Sequence, residues 1–114
     1  MPALTLALGN TLGTRQDDGV LPFTTVRVVG ASMEPTVRNG QWWVVGKRAS
    51  RRPGDVVLLR HPLRPHLSVV KRLDHRTGDG WWVLGDNPDM SDDSREFGVV
   101  AEELILGRLL WRYR

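Results

Sequence analysis

The sequence predicts an all-β domain, a barrel or a sandwich with little helix, and three observations carry that expectation. Apolar residues recur in short runs rich in valine and tryptophan, and glycine, proline, aspartate and asparagine separate those runs. The chain of 114 residues is 40% hydrophobic, which suits one compact domain with a modest core. The runs are FTTVRVV at 23–29, QWWVVG at 41–46, DVVLLR at 55–60, HLSVVKRLD at 66–74 and GWWVLG at 80–85. Turn chemistry lies between them: RNG at 38–40, RPGD at 52–55, the double-proline HPLRPH at 61–66 and TGDG at 77–80. VAEELIL at 100–106 reads as a helix of little more than one turn. LILGRLLWRYR at 104–114 reads as a last strand with a bulge at Gly107. Residues 1–22 carry the least pattern and are expected to form an N-terminal extension, leaving 23–114 as a single domain.

Composition narrows the function classes. Sixteen basic residues are interspersed with 13 acidic ones for a net charge of +3, and the one basic run, KRASRR at 47–52, reads as a solvated turn. No nucleic-acid partner is expected. The chain has no cysteine, which excludes disulfides, a thiol nucleophile and a thiolate metal site. The opening MPALTLALGN has no positively charged start, and its apolar stretch of about seven residues falls short of the about 20 that span a bilayer. The expectation is a cytoplasmic protein with no membrane anchor, or a membrane-associated one if an anchor lies upstream of Met1.

Three segments carry candidate chemistry. In GASMEPTVRNG at 30–40, Ser32 follows a strand and precedes a proline, a sharp exit that suits a nucleophile facing a groove and equally suits a turn serine bonding its own backbone. A serine hydroxyl needs a base. His61, His66 and His75 lie in or beside loops and read as surface histidines, neither a catalytic triad nor a metal cluster. Lys71 shares a strand face with Val69 and Leu73 by alternation. Its amine either snorkels to solvent from an edge strand or lies buried, where desolvation would lower its pKa and make it a general base. Finally, GDNPDMSDDSREFG at 85–98 concentrates short polar residues in a structured loop. The tryptophan pairs at 42–43 and 81–82 each send one ring inward and one outward. The outer rings either pack on neighbouring sheets and arginine stems or wall a cleft that grips an extended peptide.

Together GASMEPT, RPGDVVLL, VVKR and GDNPDMSDDSREFG resemble, in order and spacing, the motifs of the bacterial type I signal peptidase (S26) family of serine-lysine peptidases. The resemblance implies a multi-stranded, barrel-like catalytic fold of the signal peptidase and LexA type. It implies Ser32 as nucleophile and Lys71 as the general base that later protonates the leaving amine. It further implies Ser91 as orienter of the lysine, Asp93 and Arg95 as the pair bracing the loop, and Asp86 and Asn87 as holders of its turn. Gly30, Ala31 and Met33 fall at the substrate cleft and oxyanion hole, with the Ser32 N–H as one oxyanion donor. Some members carry a hydroxyl at the position of Gly30, so the second donor is open.

Two departures bear on the substrate: no anchor is visible, and Pro88 stands where membrane signal peptidases usually carry arginine after the Asp-Asn pair. Short anchorless members with this C-terminal box resemble the nickel-type superoxide dismutase maturation proteases. That likeness implies as partner a precursor protein with an N-terminal leader, the nickel superoxide dismutase precursor. Nickel would then belong to the substrate, and the enzyme itself would use no cofactor and no metal. Three alternatives stay beside it. One is a general signal peptidase for secreted proteins, and another is a non-catalytic β-barrel that binds a precursor. The third is a self-cleaving repressor, for which the about 25 residues ahead of Val28 are too few to form a DNA-binding domain.

Overall fold

A computed structural model describes residues 4–6 and 21–114. The expected extension over 1–22 therefore lies largely outside the described residues. The strands are β1 (Leu4–Leu6), β2 (Phe23–Val29), β3 (Trp42–Gly46), β4 (Val56–Arg60), β5 (Ser68–Thr77), β6 (Gly80–Leu84), β7 (Val100–Ala101) and β8 (Ile105–Arg112). They form one sheet in the order β1-β2-β3-β8-β4-β5-β6-β7, and each ladder is antiparallel. The sheet curls far enough that Thr5 of β1 also pairs with Ser68 of β5, a single bridge and not a continuous closing ladder.

The curl has local causes. Register shifts interrupt the ladders between Val44 and Val45, between Leu58 and Leu59, and between Leu73 and His75. An extra residue on one strand bends it and increases the twist. On β8 the skipped residues are Leu106 and Leu110, so the bulge expected at Gly107 lies beside it. Gly107 itself pairs with Leu58. A Cβ there would stand 2.6 Å from Val45 Cγ1 and 2.8 Å from the Gly46 carbonyl, so this glycine permits the close approach of β8 and β3. β5 pairs with β4 through Ser68–Arg72 and with β6 through Arg72–Thr77. Lys71 stands just before that handover.

The core lies on two sides of the sheet. Val26, Val28, Met33, Val37, Val45, Leu58, Val70 and Leu109 pack on one side. Val57, Leu59, Val69, Leu73, Trp81, Val83, Val100 and Ile105 pack on the other. β4 and β5 contribute to both, which is why their sequences read as continuous apolar runs with no polar alternation. Each buried Val or Leu is worth about 1.5–3 kcal/mol in transfer free energy, so a charge among them meets strong opposition.

Two expectations about this frame need correction. Residues 100–106 are not a helix: Val100 and Ala101 pair with β6, Ile105 enters β8, and only Glu102–Leu104 make a 3-10 turn. Burial of Val100 and Ile105 on the second core face fixes this segment in extended form, overriding its helical spacing. The α-helical turn instead is α1 (Ser94–Phe97), capped by the Asp93 carboxylate accepting from the Arg95 N–H. The tryptophans also divide unevenly. Trp81 is buried with its indole N–H on Glu102 (2.9 Å), Trp82 is half-buried, and Trp42 and Trp43 are both half-buried.

Candidate active site

β2 ends at Val29, and Gly30 then turns the chain with φ +103°, a left-handed conformation that L side chains avoid. The Asn39 side chain accepts the Gly30 N–H at 2.8 Å and fixes the turn. Residues 31–37 coil tightly, with Glu34 N–H on the Ala31 carbonyl (3.2 Å) and Val37 N–H on the Met33 carbonyl (3.0 Å). This coil turns Ser32 inward, where it is fully buried. Its hydroxyl meets the Lys71 amine at 2.9 Å.

Lys71 is fully buried, so the edge-strand reading does not hold. Burial pushes its pKa down from 10.5 to about 8; Asp93 and then Asp92 oppose the fall, and Arg95 adds to it. The shift corresponds, at about 1.4 kcal/mol per pH unit, to about 3 kcal/mol of disfavour toward the ammonium form. The amine also lies 3.3 Å from the Ser91 hydroxyl. Ser91 in turn donates to Asp93 at 2.9 Å, which leaves its oxygen lone pairs facing the lysine.

Asp93 is the hub of the loop. Its carboxylate takes Nε and Nη2 of Arg95 at 2.9 and 3.0 Å and the backbone N–H groups of Gly85 (2.9 Å) and Arg95 (3.1 Å). Burial pushes this carboxyl upward, but the hydrogen bonds from Arg95, Gly85 and Ser91 outweigh it and hold Asp93 below the ordinary carboxylate range. The Ser94 hydroxyl accepts the Val83 N–H at 2.8 Å and pins α1 to β6.

A second clamp joins the three segments. Arg72, the neighbour of Lys71, grips Asp86 with Nε and Nη2 at 2.8 and 2.6 Å and reaches the Gly54 carbonyl at 2.6 Å. The Thr36 hydroxyl donates to the same Asp86 carboxylate at 2.7 Å. The Arg72 bonds come first among the causes that hold the Asp86 carboxyl below its usual range. Asn87 straps the serine coil from the other side, its backbone N–H on the Ser32 carbonyl (2.8 Å) and its amide on the Ala31 carbonyl (3.0 Å).

Ser32, Lys71, Ser91, Asp93, Arg95, Asp86, Asn87 and the coil carrying Gly30 and Ala31 are thus brought together. Met33 is different: it is 2% exposed, packs in the core and accepts the Asp86 N–H on sulfur at 3.4 Å. Sequence reasoning missed Thr36, Arg72 and Gly85. The signal for Arg72 was its place after Lys71, which alternation turns to the opposite face of the strand, where its guanidinium meets Asp86 and the Gly54 carbonyl. Gly85 is needed because a Cβ there would lie 2.1 Å from Ser91 Oγ and 2.9 Å from the Ser32 carbonyl. His61 was read as a surface histidine, yet it is 4% exposed and bonded to Asp92 at 3.1 Å. Loop composition hid it, since the turn residues around it suggested exposure.

A neutral amine against a hydroxyl, with water excluded, can take a proton from that hydroxyl. Known proteins share this chain's pattern. It is 31% identical over 107 residues to mitochondrial inner membrane protease subunit 1 of Xenopus tropicalis, covering 73% of this chain and 64% of that protein. It is 32% and 34% identical over 110 and 117 residues to the mitochondrial ATP-independent inner membrane protease subunits 1b and 1a of Arabidopsis thaliana. These matches cover 73% and 79% of this chain and 65% and 70% of the relatives. The chain thus spans about two thirds of the length of these curated relatives. Residues 18–109 match the Peptidase S24-like family, and with most of its length inside that match the chain belongs to this family.

Proposed function

We propose that the chain is a serine endopeptidase in which Ser32 and Lys71 form the catalytic dyad and which removes an N-terminal leader from a precursor protein. The observation that carries this reading is the 2.9 Å contact between the Ser32 hydroxyl and a buried amine with a pKa lowered to about 8. The neutral amine takes the Ser32 proton as Oγ attacks the scissile carbonyl, and the resulting ammonium returns a proton to the leaving amine. Ser91 orients the amine, Asp93 and Arg95 brace Ser91, and Asp86 with Asn87 holds the serine coil. The Ser32 N–H is one donor to the oxyanion, at the coil of Gly30 and Ala31.

For the precursor, the C-terminal box GDNPDMSDDSREFG favours the nickel-type superoxide dismutase precursor through the sequence resemblance alone. The named relatives are inner membrane protease subunits and favour a second reading, a precursor processed at a membrane, in place of a cytoplasmic one. Among the described residues no helix is long and apolar enough to cross a membrane. The deciding experiment incubates the protein with both precursor types and reads product masses. Cleavage at a leader junction, lost in Ser32→Ala and Lys71→Ala, is expected. Undiminished cleavage by either variant would sink the dyad, and cleavage of the membrane-processed precursor alone would favour the membrane reading.

A further inference from the structure

His61 stands outside the constellation above and is built into it. It follows β4 directly and opens the 61–66 loop, and its ring is almost wholly buried. Nδ1 accepts the Leu63 N–H at 3.1 Å, so the ring carries its proton on Nε2, which donates to Asp92 at 3.1 Å. The ring also packs edge-on against Phe97, centroids 4.7 Å apart. Asp92 immediately precedes Asp93, and Phe97 ends α1. One imidazole therefore holds both ends of the six-residue stretch that carries Asp93 and Ser94.

We propose that His61 is a positioning residue of the peptidase: by gripping Asp92 and Phe97 it fixes the Asp93 carboxylate, and through it Ser91, against the Lys71 amine. This rests on the Ser32–Lys71 reading. It makes the loop between β4 and β5 part of the machinery that sets the base, although no residue of that loop touches the reacting atoms. The groups facing the amine are Ser32 from the nucleophile coil and Ser91, Asp92, Asp93 and Arg95 from the C-terminal box. Asp92 acts on the amine by charge and on the loop by its bond to His61, and substitution can separate the two.

The test uses the full chain with a leader peptide it cleaves. Asp92→Asn removes the charge and keeps an oxygen that accepts from His61 Nε2. Asp92→Ala removes both. Both variants are expected to move the midpoint of kcat/KM to lower pH, but only Asp92→Ala loses kcat, by about 10- to 100-fold with KM within about two-fold. His61→Ala is expected to match that loss, and His61→Gln, which restores a donor to Asp92, recovers part of it. His75→Ala, an exposed histidine elsewhere, leaves both constants unchanged. Equal kcat for Asp92→Asn and Asp92→Ala, or wild-type kcat in folded His61→Ala, overturns the proposal while leaving the dyad intact. If the wild type cleaves nothing, it is the peptidase reading that fails. The Lys71 Cε titration by NMR then tests the coupling: a midpoint displaced from wild type is expected in His61→Ala, and a His61→Ala midpoint identical to wild type overturns it.

Discussion

Gly85→Ala adds one methyl group at the point where three segments of the site converge. The new Cβ would lie 2.1 Å from Ser91 Oγ, 2.6 Å from Ser91 Cβ and 2.9 Å from the Ser32 carbonyl oxygen. Relief of the first contact alone requires Ser91 Oγ to withdraw by about 1 Å or more, toward an ordinary carbon–oxygen separation. That oxygen is already 3.3 Å from the Lys71 amine, near the long limit of a hydrogen bond, so a displacement of this size is expected to break the present alignment of the pair. Overpacking is expected to cost about 1–3 kcal/mol of stability, and a misplacement of this size about 10²-fold in kcat. The assay compares kcat/KM on a fluorogenic leader peptide with a thermal melt of the same sample. Ser91→Ala should lose activity to a similar degree, and the double variant should lose little more than either single one, because both changes remove the same orienting hydroxyl. A folded Gly85→Ala protein with wild-type kcat at every pH would refute the reasoning.

Lys71→Met should abolish cleavage and stabilise the fold at pH 7 by about 1–2 kcal/mol. The penalty of about 3 kcal/mol on the buried ammonium disappears, offset in part by the lost partners of Ser32 and Ser91. Because the folded-state pKa of about 8 lies below the unfolded 10.5, the unfolded state binds more protons between those values. Wild-type stability relative to Lys71→Met therefore rises from pH 8 to 10.5, measurable by urea titration at each pH. Asp93 and Asp86 also have depressed folded pKa values, so stability rises with pH through them as well, but in the acid range and as a stabilisation gained instead of a penalty relieved. Their stabilisation is present above about pH 4 and is lost as pH falls through the folded values, so Asp93→Asn should flatten the acid limb of the denaturation curve. Arg72→Lys keeps the charge but loses the two-pronged grip on Asp86. It should cost about 1–2 kcal/mol and lower kcat by freeing Thr36 and the serine coil, read by melting and by steady-state kinetics.

The strands were legible because their cause is local. FTTVRVV matches β2 residue for residue, and the ends of β3, β4 and β6 fall within one residue of the expected runs. β5 extends to Thr77, past the expected end at Asp74, because its second half pairs with β6, and that pairing is a tertiary fact absent from the local pattern. The same limit misled the reading of 100–106, where helical spacing yielded to strand pairing at Val100 and core burial of Ile105. At the site, the types of Ser32, Lys71 and Ser91 could be read, and the resemblance supplied their roles. Their separations could not be read, since residues 39 and 20 positions apart meet only through the curl of the sheet. His61 shows the converse. A turn-rich segment can bury a histidine when a long-range partner, here Phe97 and Asp92, covers it.

The central claim is that Ser32 and Lys71 act as one catalytic unit. Its most direct test measures kcat/KM for Ser32→Ala, Lys71→Met and the double variant on one leader peptide, alongside the wild-type pH profile. Losses of at least about 10³-fold are expected for each single variant, with no further loss in the double, and wild-type activity should rise with pH through about 8 as Lys71 gives up its proton. Losses that multiply in the double variant, or a wild-type profile flat across pH 6 to 9, would contradict the dyad.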